Sequence, residues 1–477
     1  MARLRSAGAL MMTFPRSFSA LLLSLVLSIP VVAQEIVHAV ALPRAAMGEL
    51  AARPFLEQRR RIVHRHVPQF RARLEAPSSS GELSAPAVTI APPPMTTVFD
   101  SDTSKNLTPP DATGAVGPAH VLSISNARII VHDRDGNVLK TVAQSQFWSA
   151  NSPSGVYYDP RAVYDAGADR WVMMTIFDEE AMMFAVSESG DPTGTWRRYQ
   201  LSVSDCDFSM LAITRDTVVF GTLRWPSNNA VFASVQKQHL YAMPPTLPLT
   251  QYNVSLDYAQ PVSTDRAVEY VVSSVSNNGI AVQRLGASSV RFIAEPPSWR
   301  TAEPYLPQLG TAFVLDGGYD VVQNAVERHG KIYVTLTRDA PGASSTIVWC
   351  KFDPDTGDAE WGSLTDPQGR VFAYPSIAVN RHGSMLIGFG HFSATQYAAS
   401  GYIYRDFLGR VSTVAPIRAG ETAVTFDDRW GDYTTTLVDP VDDASFWTTQ
   451  IHAKNGTWAT SWAKIEMPGG RRRSVRR

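Results

Sequence analysis

Cysteine is almost missing from this chain: Cys206 and Cys350 are the only two in 477 residues. A scaffold held by several disulfides in place of a hydrophobic core is thereby excluded. An excess of either charge is missing too. Lys and Arg total 43 against 44 Asp and Glu, so the basic surface of a nucleic-acid binder is not expected. Past residue 33 no apolar run approaches the ~20 residues of a membrane-spanning helix. The chain contains no HExxH, no phosphate-cradling glycine loop and no Gly-x-Ser-x-Gly elbow. Two stretches, at Asp133 and Asp353, echo calcium loops but lack the closing Glu, and they read as hairpin turns. No metal and no cofactor is expected.

What remains is rich in turn formers and aromatics. Gly and Pro number 31 and 32, and aromatics make up 10% of the chain, a composition that favours short strands over long helices. Arg3, Arg5 and Arg16 precede the apolar run Leu21–Ala33, which Pro30 interrupts before Val31 and Ala33 supply small side chains. That is the layout of an export signal, with cleavage expected between Ala33 and Gln34. The mature protein is expected to be secreted or periplasmic, without an integral membrane segment, and a monomer. Residues 34–86 read as a basic leader and a Ser/Gly/Pro linker, with 34–80 expected to be dispensable for the folded ring, and 469–477 as a solvated basic tail. Sequons begin at Asn106, Asn253 and Asn455, and they matter only in a glycosylating host.

Between them, residues 87–468 repeat. The phrase "PSIAVNRHGSMLIGFGHF" from Pro375 returns as "QNAVERHGKIYVTLT" from Gln323 and "SMLAITRDTVVFGTL" from Ser209. It returns again as "PRAVYDAGADRWVMMTIF" from Pro160, "DATGAVGPAHVLSIS" from Asp111 and "TTTLVDPVDDASFWTTQ" from Thr434. A weaker copy starts at Ala267. Each is strand, turn, strand, at a spacing of roughly fifty residues, and two further strand-like runs follow. The expectation is an all-β fold: one β-propeller, four strands per blade, seven blades, or six if the copy at Ala267 is an insertion. The last unit lacks a strand, which residues 87–91 are expected to supply. Cys206 and Cys350 then fall in distant strands, beyond bridging distance.

The innermost strand of each blade is expected to start at one rim of the central channel. Residues at those starts are Asp111, Asp159, Arg161, Asp207, Tyr374, Arg429, Asp432 and Tyr433, with Asp205 and Gln323 nearby. Acids, arginines and tyrosines round one opening suit a glycan, a carboxylate or a cation. The same residues also suit a purely structural task, pairing to satisfy buried backbone groups.

"SGDPTGTW", Ser189–Trp196, resembles the Asp-box turn of sialidase-like propellers, with Gly194 one position late, and "DPDTGDAEW" from Asp353 is a weaker relative. The chain is also similar to exported bacterial propellers carrying phrases such as "PPDATGAVGP", "DPR" and "GDY". The resemblance implies a propeller with these turns between the third and fourth strands of a blade. Catalytic members of the sialidase family use an arginine triad and an Arg-Ile/Leu-Pro phrase. This chain has no such phrase and offers two rim arginines, so the resemblance speaks for fold rather than catalysis. Two functions follow as expectations. The first is an exported, non-catalytic propeller recognising a glycan or an extracellular protein. The alternative is a polysaccharide-acting glycoside hydrolase or lyase, signalled by two rim carboxylates facing one open cleft.

Overall fold

In the computed structural model the described residues are 27–28, 32–47, 89–103, 108–149, 155–296 apart from 228 and 276–277, and 299–467 apart from 302–304, 319, 341–342, 365 and 367. Most of the export signal, the linker and the basic tail lie outside them, as does the Asn106 sequon.

The fold is all-β. Among the described residues helix is confined to Gln144–Trp148 and Lys237–Ala242, neither of which crosses between parallel strands of one sheet. Successive antiparallel groups follow the repeats. Thr113–Val116, His120–Ile124, Arg128–Asp133 and Val138–Ala143 form one sheet in that order. The same meander recurs from Tyr157–Asp165 to Thr195–Ser202, from Cys206–Ile213 to Thr246–Asp257, and from Gln260–Ser263 to Ser289–Ala294. It continues from Asn324–Arg328 to Ala359–Ser363, from Val371–Val379 to Ala415–Arg418, and finally from Thr435–Val438. The weak copy at Ala267 supplies the second and third strands of its group, Tyr270–Val275 and Gly279–Arg284.

The first strand of each group lies against the first strand of the next. Gln260–Ser263 even hydrogen-bonds in parallel to Asn324–Arg328. The last of these strands, Thr435–Val438, returns to the first, where Thr435 Oγ1 lies 3.1 Å from Thr113 Oγ1. The result is a β-propeller, with short inner strands round a central channel. At Gly114 an added Cβ would stand 2.1 Å from the Leu122 carbonyl and 2.7 Å from Trp462. A glycine is needed where the first and last groups press together.

The hairpins owe their Asp-rich turns to side-chain capping. Asp133 Oδ1 accepts the N–H groups of Asp135 and Asn137, and Asp406 Oδ1 those of Leu408 and Arg410. Asn380 Oδ1 does the same for His382 and Ser384. Each cap satisfies donors that the tight turn leaves out of the ladder.

The final group is completed from the N-terminal side, by Met95–Thr103 beside Thr457–Ile465. The expected donor, 87–91, is displaced: Thr89–Ile90 instead pairs in parallel with Val411–Ser412 of the preceding group. The leader also contributes. Val32–Ala41 pairs with Thr246–Asp257 along most of its length and touches Thr195–Ser202 at its end, so it bridges two neighbouring groups. Ala45–Ala46 pairs with Trp196 and Thr195, and Met47 is fully buried among Phe147, Trp148 and Trp196. Residues 34–47 are thus part of the sheet structure, while 48–88 lie outside the described residues.

Both cysteines are free and buried. Cys206 opens its strand, and its thiol, pushed up to about 12 by burial, points at the Val203 carbonyl. Cys350 lies in the third strand of its group, and burial raises its thiol well above the usual range.

Candidate functional site

The starts of the inner strands share a backbone device. Asp111, Asp159, Phe208, Tyr258 and Tyr374 all have positive φ, between 48° and 55°, a region that non-glycine residues seldom occupy and that Asp tolerates best. Ladder register slips at three of these points, between Tyr158 and Arg161, Asp207 and Met210, and Ala373 and Ser376. These are β-bulges, which re-aim side chains at strand ends. Asp207, half-buried, lies one position before its bulge, so the residue equivalent to Asp159 and Tyr374 is Phe208. Sequence reasoning passed over Phe208 because an apolar side chain at a supposed rim carried no signal.

The bulges bring the expected residues together and lace each group to another. Asp111 Oδ1 accepts the Asp432 N–H at 2.7 Å, and Asp111 Oδ2 accepts from Asn126 Nδ2 at 2.6 Å. Asn126 Oδ1 in turn takes the Asp159 N–H at 2.8 Å, and Asp159 Oδ2 takes the Phe208 N–H at 2.9 Å. Arg161 Nε donates to the Ser209 carbonyl at 3.0 Å, and Tyr433 Oη donates to the Pro160 carbonyl at 2.7 Å. On the other side Thr434 Oγ1 donates to the Tyr374 carbonyl and Tyr374 Oη to the Asp316 carbonyl. Asn126, Ser209 and Asp316 were missed in the sequence: Asn126 sits in a loop, Asp316 in a short hairpin outside the repeats, and Ser209 acts through a backbone carbonyl that no side-chain pattern marks.

Charge is balanced within the same cluster. Arg429 Nη2 pairs with Asp432 Oδ1, and its Nε stands 3.9 Å from Asp316 Oδ2. The Arg161 guanidinium lies 3.3 Å above the Tyr433 ring. Burial pulls the Arg161 guanidinium below its ordinary value, against the upward pull of Tyr433, Asp159, Asp111 and Asp432. Burial likewise lifts the phenols of Tyr374 and Tyr433 well above the ordinary tyrosine range. Carboxylate oxygens of Asp111, Asp159 and Asp432 lie within 4.8 Å of one another. Positive charge beside them comes from the chain's own two guanidiniums.

This end of the ring is sealed. Asp111, Asp159 and Tyr433 have no exposed surface, and Asp432 is 5% exposed. Two loops make the seal. Tyr305–Leu306 and Leu315–Asp316 form a small hairpin, and Gln308 locks it to the segment before Trp430 by exchanging bonds with the Val424 backbone. Leu306, Leu315, Trp430 and Tyr374 share one core cluster beneath.

The channel opens at the opposite end. It encloses about 560 Å³, bounded by the inner strands from Thr113 to Val438. Arg161, Gln260, Gln323 and Thr434, all buried, stand at its closed end, and Arg215, Asp265 and Arg328 stand where the inner strands finish. The Asp-box-like turn lies elsewhere, between Ala181–Ser187 and Thr195–Ser202. There Asp191 Oδ1 accepts from the backbone and hydroxyl of Thr193, Trp196 is buried, and Gly194 avoids positive φ.

No family model matches the chain, and no curated protein matches it. Solved structures do match, at low identity. The β-propeller domain of the Trilobed protease from Pyrococcus furiosus aligns at 9% identity and a TM-score of 0.43, over 78% of this chain and 99% of that one. The GH93 α-L-arabinofuranosidase of Fusarium graminearum aligns at 9% and 0.38, over 78% and 98%. The Aleuria aurantia lectin AAL aligns at 9% and 0.36, over 65% and 93%. These are all distant likenesses, and none assigns a function.

Proposed function

We propose that this chain is an exported seven-bladed propeller that binds a glycan or an extracellular protein without cleaving it. The observation that carries this reading is the state of the rim carboxylates. Asp111, Asp159 and Asp432 are buried, and one oxygen of each is held inside the ring, by a backbone N–H at Asp111 and Asp159 and by Arg429 at Asp432. A glycoside hydrolase needs two carboxylates that reach the substrate. Carboxylates closed beneath Trp430 and the 305–316 hairpin serve the ring instead. In this reading Asp111, Asp159, Arg161, Tyr374, Arg429, Asp432 and Tyr433 keep the blades in register, while Asp207 bonds within its own strand group. Ligand is met at the open mouth, around Arg215, Asp265 and Arg328. A count of seven blades is supported by the seven successive strand groups, the last of which returns to the first, and export is supported by the apolar run ending at Ala33.

The test is a glycan array and an extracellular pull-down with the chain from Gln34. Arg215→Ala with Arg328→Ala should abolish capture, and chromogenic glycosides should show no turnover. Capture that survives those changes, or hydrolysis that Asp159→Asn removes, would overturn the proposal.

A further inference from the structure

The channel walls are built for something other than a sugar. Midway along it, Val163, Ile213, Val326 and Leu437 come from four different inner strands, and each is only half-buried. Their inner faces pack on the cores between groups. The surface they leave faces the channel and forms an apolar band beside the hydroxyls of Thr113, Thr435 and Thr436. A sugar ring would call for an aromatic platform there. Among the described residues Tyr164 is the one aromatic side chain on the wall, and it is committed, since its ring packs on Trp171 at 4.8 Å and its hydroxyl is given to Asp169.

The open lip differs in kind. Arg215 and Arg328 stand on it, paired with Asp216 and Asp443, whose side chains are 48% and 45% exposed. Such water-facing pairs contribute little and re-partner readily. Lys237, also on the lip, is tied to the more buried Asp165. Asp265 is exposed on the same lip and Glu327 is bonded to Thr264 and the Gly330 N–H, so a head group with two negative charges is disfavoured. A blind tube of about 560 Å³ is within the size range of small-molecule sites.

We propose that the channel takes a single aliphatic chain ending in one carboxylate, with the chain in the Val163–Ile213–Val326–Leu437 waist and the carboxylate at Arg215 and Arg328. This site shares Arg215 and Arg328 with the mouth proposed above for a glycan or protein, and the waist variants below, which leave the mouth intact, let either proposal fail alone.

The test is equilibrium titration of the chain from Gln34 with dansylaminoundecanoic acid, read as a blue-shifted fluorescence rise, followed by displacement. Saturable one-to-one binding, displaced by dodecanoic acid and less well by dodecanol, is expected. Val326→Trp fills the waist and should weaken binding about tenfold or more, since each methylene kept in water costs about fourfold. Ile213→Trp, on another strand, gives the same answer if the first variant fails to fold. Arg215→Gln with Arg328→Gln should weaken the acid and leave the alcohol unchanged. Absence of saturable binding, or full binding in folded tryptophan variants, would overturn the proposal. Equal affinity for acid and alcohol would remove the assigned head group. Co-sedimentation with phosphatidylcholine vesicles would contradict a free acid as the ligand.

Discussion

Changing Asp432 to Asn takes one negative charge out of the rim lacing and leaves its shape intact. Asp432 is 5% exposed and holds Arg429, whose own side chain is 12% exposed. Without that partner the guanidinium stays largely out of water, with Asp111 and Asp316 (Oδ2 at 3.9 Å) as the carboxylates that still act on it. Breaking a buried ion pair from one side costs about 3–5 kcal/mol, and the share taken up by Asp316 points to the lower end, about 3 kcal/mol. Unfolding entropy of ~2.1 cal/mol/K per residue over roughly 380 residues gives ~0.8 kcal/mol/K, so Tm should fall by about 4 °C. Scanning calorimetry reads this directly. Arg429→Gln combined with Asp432→Asn should recover part of the loss, because the pair is then removed together. If Asp432→Asn melts within about one degree of the parent and yet loses its ligand, the rim is a binding site and the reasoning is refuted.

Met47→Ala should cost about 2–5 kcal/mol by opening a cavity among Phe147, Trp148 and Trp196, and a chain beginning at residue 48 should melt lower than one beginning at 34; equal melting of the two chains would show that 34–47 is dispensable after all. Neither thiol should react with a maleimide at pH 8 until the protein is unfolded, and non-reducing mass analysis should find both free; rapid labelling of Cys206 would contradict its burial. Burial holds the imidazoles of His391 and His452 down to about 4, so below pH ~6.5 the unfolded chain takes up protons first. Stability present above that pH should be lost progressively toward pH 4, on the order of 3 kcal/mol for each, and His452→Gln should flatten the slope.

The repeated fold was legible because its signals are local. Alternating strands, Asp-capped turns and a fixed spacing are all written into adjacent residues, and capping by Asp133, Asn380 and Asp406 needs nothing distant. The leader was not legible for an equally physical reason. Along 36–41 the larger side chains Ile36 and Val40 are each 61% exposed, while the residue fully inside is Ala39. The strand is held by its ladder to Thr246–Asp257 and by Met47 beyond it. Val37 and Ala41 pack inward beside Ala39, so apolar residues lie on both faces and mark no single buried side, and the basic stretch downstream read as a leader.

The rim was half legible. Asp111, Asp159, Arg161, Tyr374, Arg429, Asp432 and Tyr433 do converge at the starts of the inner strands, because polar residues ahead of a short apolar strand mark the same point in every repeat. Their environment was hidden, since an acid that binds a ligand and an acid that accepts a backbone N–H are the same letter. What separates the two is a cover of 305–316 on 424–430, made by residues more than a hundred positions apart, with Gln308 and Val424 as the clasp. Once that cover is in place, low dielectric works against any unpaired charge beneath it. The rim is then left with the pairings seen: carboxylate to N–H, carboxylate to Arg429, and Arg161 on Tyr433. Asp111, Asp159 and Asp432, closed off in this way, lace one strand group to the next, and the proposal that ligand is met at the far mouth rests on that closure.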